Sequence, residues 1–250
     1  MSGHSKWSKI KHKKDAADQK RGASFTKLGN AITLAAKKGG DPEMNFSLRL
    51  AIDSAKSANL PKDNIERAIK RGTGELGGAQ LEENTYEGFG PGKIGIIIET
   101  LTDNKNRTVA EIKHTLDKNG GSLGGPGTVV WMFDRLGILN IKKDGLDKDE
   151  LELKAIDAGA EDIQDDEEYI VIYTKPEELQ KVKENLEKEN IKIKSAEIEY
   201  IAKEKLVRRS TGVVSGEGGK EANEELEEKL QKFFDILDEN EDIMNYYTNV

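Results

Sequence analysis

The stretch Gly72-Thr73-Gly74-Glu75-Leu76-Gly77-Gly78-Ala79 divides the chain into two regimes of apolar spacing, and that change limits the available folds more than any other feature. Its glycines read as a linker. Before it, apolar residues fall at helical intervals. Phe25, Leu28, Ile32 and Ala35 lie at i, i+3, i+7 and i+10, one stripe of a helix. Gly22 is expected to part this helix from a turn over residues 15–20, and Gly39-Gly40-Asp41-Pro42 to stop it. Leu48, Ala51, Ile52, Ala55 and Ala58 mark a second helix. A third opens at Pro61, carries Ile65, Ala68 and Ile69, and ends at Gly72. Residues 1–14 have no periodicity and read as an arm.

Beyond the linker, strands enter. Residues 94–101 read as a strand. Thr108-Val109-Ala110-Glu111 has the form of a capping box opening a helix that ends near Gly120-Gly121, and residues 128–133 read as the next strand. From Gly137 the order is strand (138–142), helix (147–158), strand (161–164), strand (169–174), helix (177–188), strand (191–202). That is the β-α-β-β-α-β, ferredoxin-like pattern. A basic, Gly-rich stretch follows at 206–220, then a helix (222–237) and a short strand (244–248). Leu226, Leu230, Phe233 and Leu237 on that helix need a sheet to cover them. The C-terminus is therefore expected to return to the middle of the chain. The fold class is α+β in three domains: an arm and three-helix bundle (1–77), a middle α/β domain (78–135 plus 203–250), and a ferredoxin-like domain inserted in it (136–202).

Charge points to a partner. The net charge is −8, yet residues 1–75 carry +8 and the remaining residues −16. Residues 1–40 hold 10 Lys and Arg against only Asp15 and Asp18. A cationic end on an acidic body signals a polyanionic partner met on one face. In the arm, Lys6, Lys9, Lys11, Lys13 and Lys14 surround Trp7 and His12, and Lys20, Arg21 and Lys27 follow. Cations of this kind neutralise phosphates, and an aromatic can stack on an exposed base. The second and third helices with the turn Asn59-Leu60 have the outline of a helix-turn-helix, whose third helix would present Lys62, Asn64, Arg67, Lys70 and Arg71. Asn and Arg are the residue types that read adenine and guanine edges. Asp63 and Glu66 on the same helix would meet phosphates unfavourably.

Other chemistry finds little support. There is no cysteine, so disulfides, thiolate metal sites and cysteine nucleophiles are excluded. His4, His12 and His114 have no metal-ligand spacing, and no metal or cofactor is expected. Gly88-Phe89-Gly90-Pro91-Gly92 precedes a strand and reads as a tight turn, and Gly216–Lys220 lacks the phosphate-loop pattern. No catalytic residue is assigned, no small-molecule substrate is expected, and no apolar run is long enough to cross a membrane.

The chain also resembles a family. Met1-Ser2-Gly3-His4-Ser5-Lys6-Trp7, Lys20-Arg21-Gly22, Pro61-Lys62-Asp63-Asn64-Ile65-Glu66-Arg67, Gly72-Thr73-Gly74-Glu75, Thr102-Asp103-Asn104 with Asn106-Arg107-Thr108, and Lys118-Asn119-Gly120-Gly121 are similar to the YebC/PmpR family. The match is dense over residues 1–135. The resemblance implies the same three domains and a cytoplasmic, non-enzymatic role in gene expression: a DNA-binding transcriptional regulator or, as the rival reading, a ribosome-associated translation factor that contacts ribosomal RNA and tRNA and relieves stalled translation. A Lys/His/Trp arm suits irregular RNA as well as duplex DNA.

Overall fold

The computed structural model describes residues 18–77, 81–143, 148–166, 169–203 and 218–250. In chain order their elements are α1 (Asp18–Ala36), α2 (Phe46–Ser57), α3 (Lys62–Gly72), β1 (Glu82–Phe89), β2 (Gly95–Thr102), α4 (Lys105–Lys118), β3 (Ser122–Leu123), β4 (Phe133–Lys142), α5 (Lys148–Ala158), β5 (Asp162–Asp165), β6 (Tyr169–Thr174), α6 (Leu179–Lys188), β7 (Ile193–Ala202), α7 (Gly218–Glu239) and β8 (Ile243–Thr248). They divide into two compact units, one within residues 134–201 and the other within 16–133 and 202–250. The fold is α+β.

In the larger unit, α1, α2 and α3 form a bundle around Ile32, Leu48, Ile52, Ala55, Leu60, Ile65 and Ala68. The expected break at Gly22 does not occur. α1 runs through it from Asp18, because burying its apolar stripe outweighs the roughly 1 kcal/mol that an interior glycine costs a helix. Ala58 is not part of the second stripe: it is the exposed cap that ends α2. Asn45 fixes the start of α2. Its side-chain oxygen accepts from the Leu48 backbone amide (3.1 Å), and its side-chain nitrogen donates to the Ala35 and Gly39 carbonyls (2.8 and 2.7 Å).

The same unit holds a four-stranded sheet in the order β3-β1-β2-β8. β2 is its spine: Ile96, Ile97 and Ile98 are all buried, so both faces are covered. β1 lies antiparallel to it, from Glu82 opposite Thr102 to Phe89 opposite Gly95. On its other edge β8 returns from the end of the chain, antiparallel, with Ile96 opposite Thr248. α7 buries Leu230, Phe233, Phe234 and Leu237. Phe234 stacks on Tyr246 of β8 at 5.5 Å. Burial, with Asp238 and Asp235 adding, pushes the Tyr246 phenol up.

Two local expectations are corrected here. The cap of α4 is Asn104, not Thr108: the Asn104 side chain accepts from the Arg107 amide (3.1 Å), while the Thr108 hydroxyl donates to Asp242 (2.6 Å). Residues 128–133 are not a strand. Val130–Met132 forms a 3-10 turn and β4 begins at Phe133. The Glu87 carboxylate takes the amides of Gly127, Val129 and Val130, each at 2.8 Å, that a ladder would have needed.

In the smaller unit the sheet order is β5-β6-β4-β7, with β6 antiparallel to both β5 and β4. Together with the β-α-β-β-α-β chain order, this is the ferredoxin-like arrangement. α5 packs on α6, burying Leu151, Ala155, Val182 and Leu186. Ile138, Val171 and Tyr173 form a second cluster, joined by Leu136, Tyr169 and Ile201. Burial, with Glu199, Asp162 and Asp166 adding, pushes the Tyr173 phenol up to about 12. Its hydroxyl donates to Gln164 Oε1 (2.9 Å).

Candidate nucleic-acid interface

The turn between α2 and α3 sets the presentation of the basic helix. Asn59 takes a left-handed φ of 61°, and the Leu60 amide reaches back to the Ala55 carbonyl at 2.9 Å. This is the hydrogen-bond pattern of a Schellman stop, completed by burying Leu60. Pro61 then supplies a φ of −57° immediately before the first helical residue. α3 buries Ile65 and Ala68 and leaves Lys62, Asn64, Arg67, Lys70 and Arg71 exposed.

These five do not act as one surface. Asn64, Arg67 and Arg71, spaced three and four apart, share an edge of α3 and line a cleft of about 300 Å³ against α1. Across it stand Phe25, Thr26, Gly29, Asn30 and Thr33, with Leu60 and Ala68 completing the lining. Arg67 and Arg71 have no carboxylate partner among the described residues. Lys70 lies outside the cleft lining. Lys62 meets Glu66 at 3.5 Å on an open helix face, a pairing worth little in water.

α1 and α3 are locked at one end of this cleft. The Thr33 hydroxyl lies 2.9 Å from the Gly29 carbonyl and 3.2 Å from the Ala68 carbonyl. A Cβ added at Gly72 would fall 2.3 Å from the Thr33 carbonyl oxygen and 2.6 Å from the Ala36 Cβ, so the helices touch there with no room for a side chain. Gly29 is different: a Cβ there would have nothing within 4 Å.

Among the other candidates, Lys27 stands apart. Its ammonium donates to the Asp238 carbonyl at 2.9 Å, in the last turn of α7. A cation there complements the helix dipole. Lys20 and Arg21 belong to α1 by backbone, but their side chains lie outside the described residues. So do Lys6, Trp7, Lys9, Lys11, His12, Lys13 and Lys14, and with them the arm and residues 204–217. Gly29 and Asn30 carry no charge and belong to no motif that marks them in the sequence. The available signal was Gly29 itself, a glycine in mid-helix.

The strings around Thr102 and Arg107 prove structural. The Thr102 and Thr108 hydroxyls and the Arg107 guanidinium converge on Asp242, at 3.2, 2.6 and 2.9 Å. His114 is exposed on α4. Among the described residues no group of three or more His, Asp or Glu side chains could hold a metal ion, and no helix is long and apolar enough to cross a membrane.

Comparison with known proteins agrees with this architecture over nearly the whole chain. Residues 5–75 match the TACO1/YebC protein N-terminal domain, and residues 81–250 match the TACO1/YebC second and third domain. A probable transcriptional regulatory protein of Thermoanaerobacter pseudethanolicus is 51% identical, covering 100% of this chain and 97% of its own length. One from Caldanaerobacter subterraneus is 50% identical over 100% and 98%. A crystal structure of a conserved hypothetical protein from Aquifex aeolicus superposes with a TM-score of 0.81 at 41% identity, covering 98% of this chain and 96% of that one.

Proposed function

The chain belongs to the TACO1/YebC family, and from that premise we propose that it is a non-enzymatic regulator of transcription that binds DNA through the cationic N-terminal region. The names of its relatives supply the regulatory part of this reading. The single observation that carries the binding part is the edge of α3: Asn64, Arg67 and Arg71 side by side, without carboxylate partners among the described residues, in a chain whose net charge is −8. The planar guanidinium fork suits the oxygens of a phosphate. Lys6, Lys9, Lys11, Lys13 and Lys14, which precede α1 in sequence, add cationic charge to the N-terminal region, and Trp7 and His12 add stacking surface. No catalytic residue is assigned.

The test is fluorescence anisotropy of the full-length protein on duplex DNA and on a structured RNA of equal length, over a salt series. About six phosphate contacts on duplex DNA give a log–log salt slope near −5. Salt-insensitive binding would sink the electrostatic reading. Binding confined to the RNA would move the function to translation, with ribosomal RNA or tRNA as the partner.

A further inference from the structure

The cleft between α1 and α3 is amphiphilic. Leu60 is buried at its floor and Phe25 is half-buried beside it. The exposed Asn64, Arg67 and Arg71 form its polar edge. A phosphodiester alone would gain nothing from Leu60 or Phe25. A nucleotide matches both parts, having a flat apolar base and an anionic phosphate. We propose that this cleft seats one unpaired nucleotide of the nucleic-acid partner, its base over Gly29 and Leu60 and its phosphate on Arg67 and Arg71. The inference rests on the nucleic-acid reading above and adds the strand state it recognises.

Gly29 is the independent observation. Glycine is the weakest helix former after proline, so a glycine inside α1 calls for a reason. At Gly72 the reason is contact, because no Cβ fits. At Gly29 no neighbour lies within 4 Å of a Cβ position, and the backbone is ordinary helix without a positive φ. Nothing in the described chain requires glycine there. Its effect is to leave bare backbone at the wall of the cleft, where a planar ring can approach more closely than any side chain would permit. The volume, about 300 Å³, stands at the small end of ligand sites. Asn64 brings a donor and an acceptor to an exposed base edge, the mode by which splayed-out bases are read. In a duplex that edge is paired and the base faces are stacked.

The experiment is Gly29→Leu in the full-length chain. Leucine is a strong helix former whose side chain would occupy the cleft. Thermal melting is followed beside anisotropy on a single-stranded oligonucleotide and on its duplex at one salt concentration. The expected result is a melting temperature not lowered, single-strand affinity down by at least about tenfold, and duplex affinity within about twofold. Gly29→Ala supplies the milder, well-folded companion and should weaken the single strand less. Equal losses on both nucleic acids would overturn the proposal, because the cleft would then be reading backbone. Unchanged binding on both would overturn it while leaving the nucleic-acid reading in place. Wild-type protein that binds neither would overturn both. Adenosine 5′-monophosphate is the second probe: a free nucleotide held as tightly as the strand would overturn the assignment to a nucleic-acid partner.

Discussion

The Arg107 guanidinium and the Asp242 carboxylate meet at 2.9 Å across 135 residues of sequence. Asp242 also accepts from the Thr108 hydroxyl at 2.6 Å, and its backbone carbonyl accepts from the Leu101 amide at 2.9 Å. One aspartate thus ties the first turn of α4 to the approach to β8. Asp242→Ala is expected to lower stability by roughly 2–4 kcal/mol, since it strands several donors in a partly buried site. Asp242→Asn, which keeps an acceptor, should cost less. Equilibrium denaturation by urea measures both. An alanine variant within the range of an ordinary surface substitution would contradict the latch.

Glu87 gives stability a pH dependence on the acid side. Partial burial pushes its carboxyl up, but the amides of Gly127, Val129 and Val130 more than offset this and hold it below the usual carboxylate range. The folded form therefore binds this proton less readily than the unfolded form. Its contribution is complete above the unfolded value, about 4.3 for Glu, and is lost as pH falls through the lower folded value. Glu87→Gln should melt below wild type at neutral pH, and the gap should close as the solution is acidified. A gap that stays constant from pH 7 to strongly acid solution would rule out the carboxylate as its cause.

Gly72 and Gly29 should respond to alanine with opposite signs. At Gly72 the new methyl would lie 2.3 Å from the Thr33 carbonyl oxygen, so α1 and α3 must part, at a cost of about 1–3 kcal/mol. At Gly29 the methyl meets nothing within 4 Å, and the gain in helix propensity is about 1 kcal/mol. Differential scanning calorimetry of the two variants is enough. Two shifts of the same sign would mean the spacing of the helices is not what distinguishes these positions.

The bundle was legible because three stripes at helical spacing, each stopped by Gly or Pro, have few other solutions. The return of the C-terminus followed from an apolar helix face with nothing nearby to cover it. β1 was not legible. Glu82-Glu83-Asn84-Thr85 is polar, and the apolar partner that holds it as a strand is β2. The capping-box pattern at Thr108 misled because a tertiary acceptor, Asp242, takes that hydroxyl. Period alone brings Asn64, Arg67 and Arg71 onto one edge of a helix. Lys27 could not be told from a phosphate contact by sequence, because its partner is a backbone carbonyl 211 residues away.

Arg67 and Arg71 stand on the same edge of the same cleft, and their loss should be felt as lost charge, not lost fold. Both are exposed and support no described ion pair, so Arg67→Ala and Arg71→Ala should each leave the melting temperature nearly unchanged. If each guanidinium neutralises one phosphate, each variant reduces the magnitude of the log–log salt slope by about 1 and weakens binding alike on all sequences. A duplex base reader behaves otherwise: its loss costs about 1–3 kcal/mol on the preferred site and relaxes discrimination at a single base pair. Titrations of each variant on several unrelated sequences, at several salt concentrations, separate the two. Asp63 and Glu66 flank this edge along α3 and would repel a major-groove phosphate wall, which favours the uniform loss. A position-specific loss at Arg67 would instead make α3 a groove-reading helix.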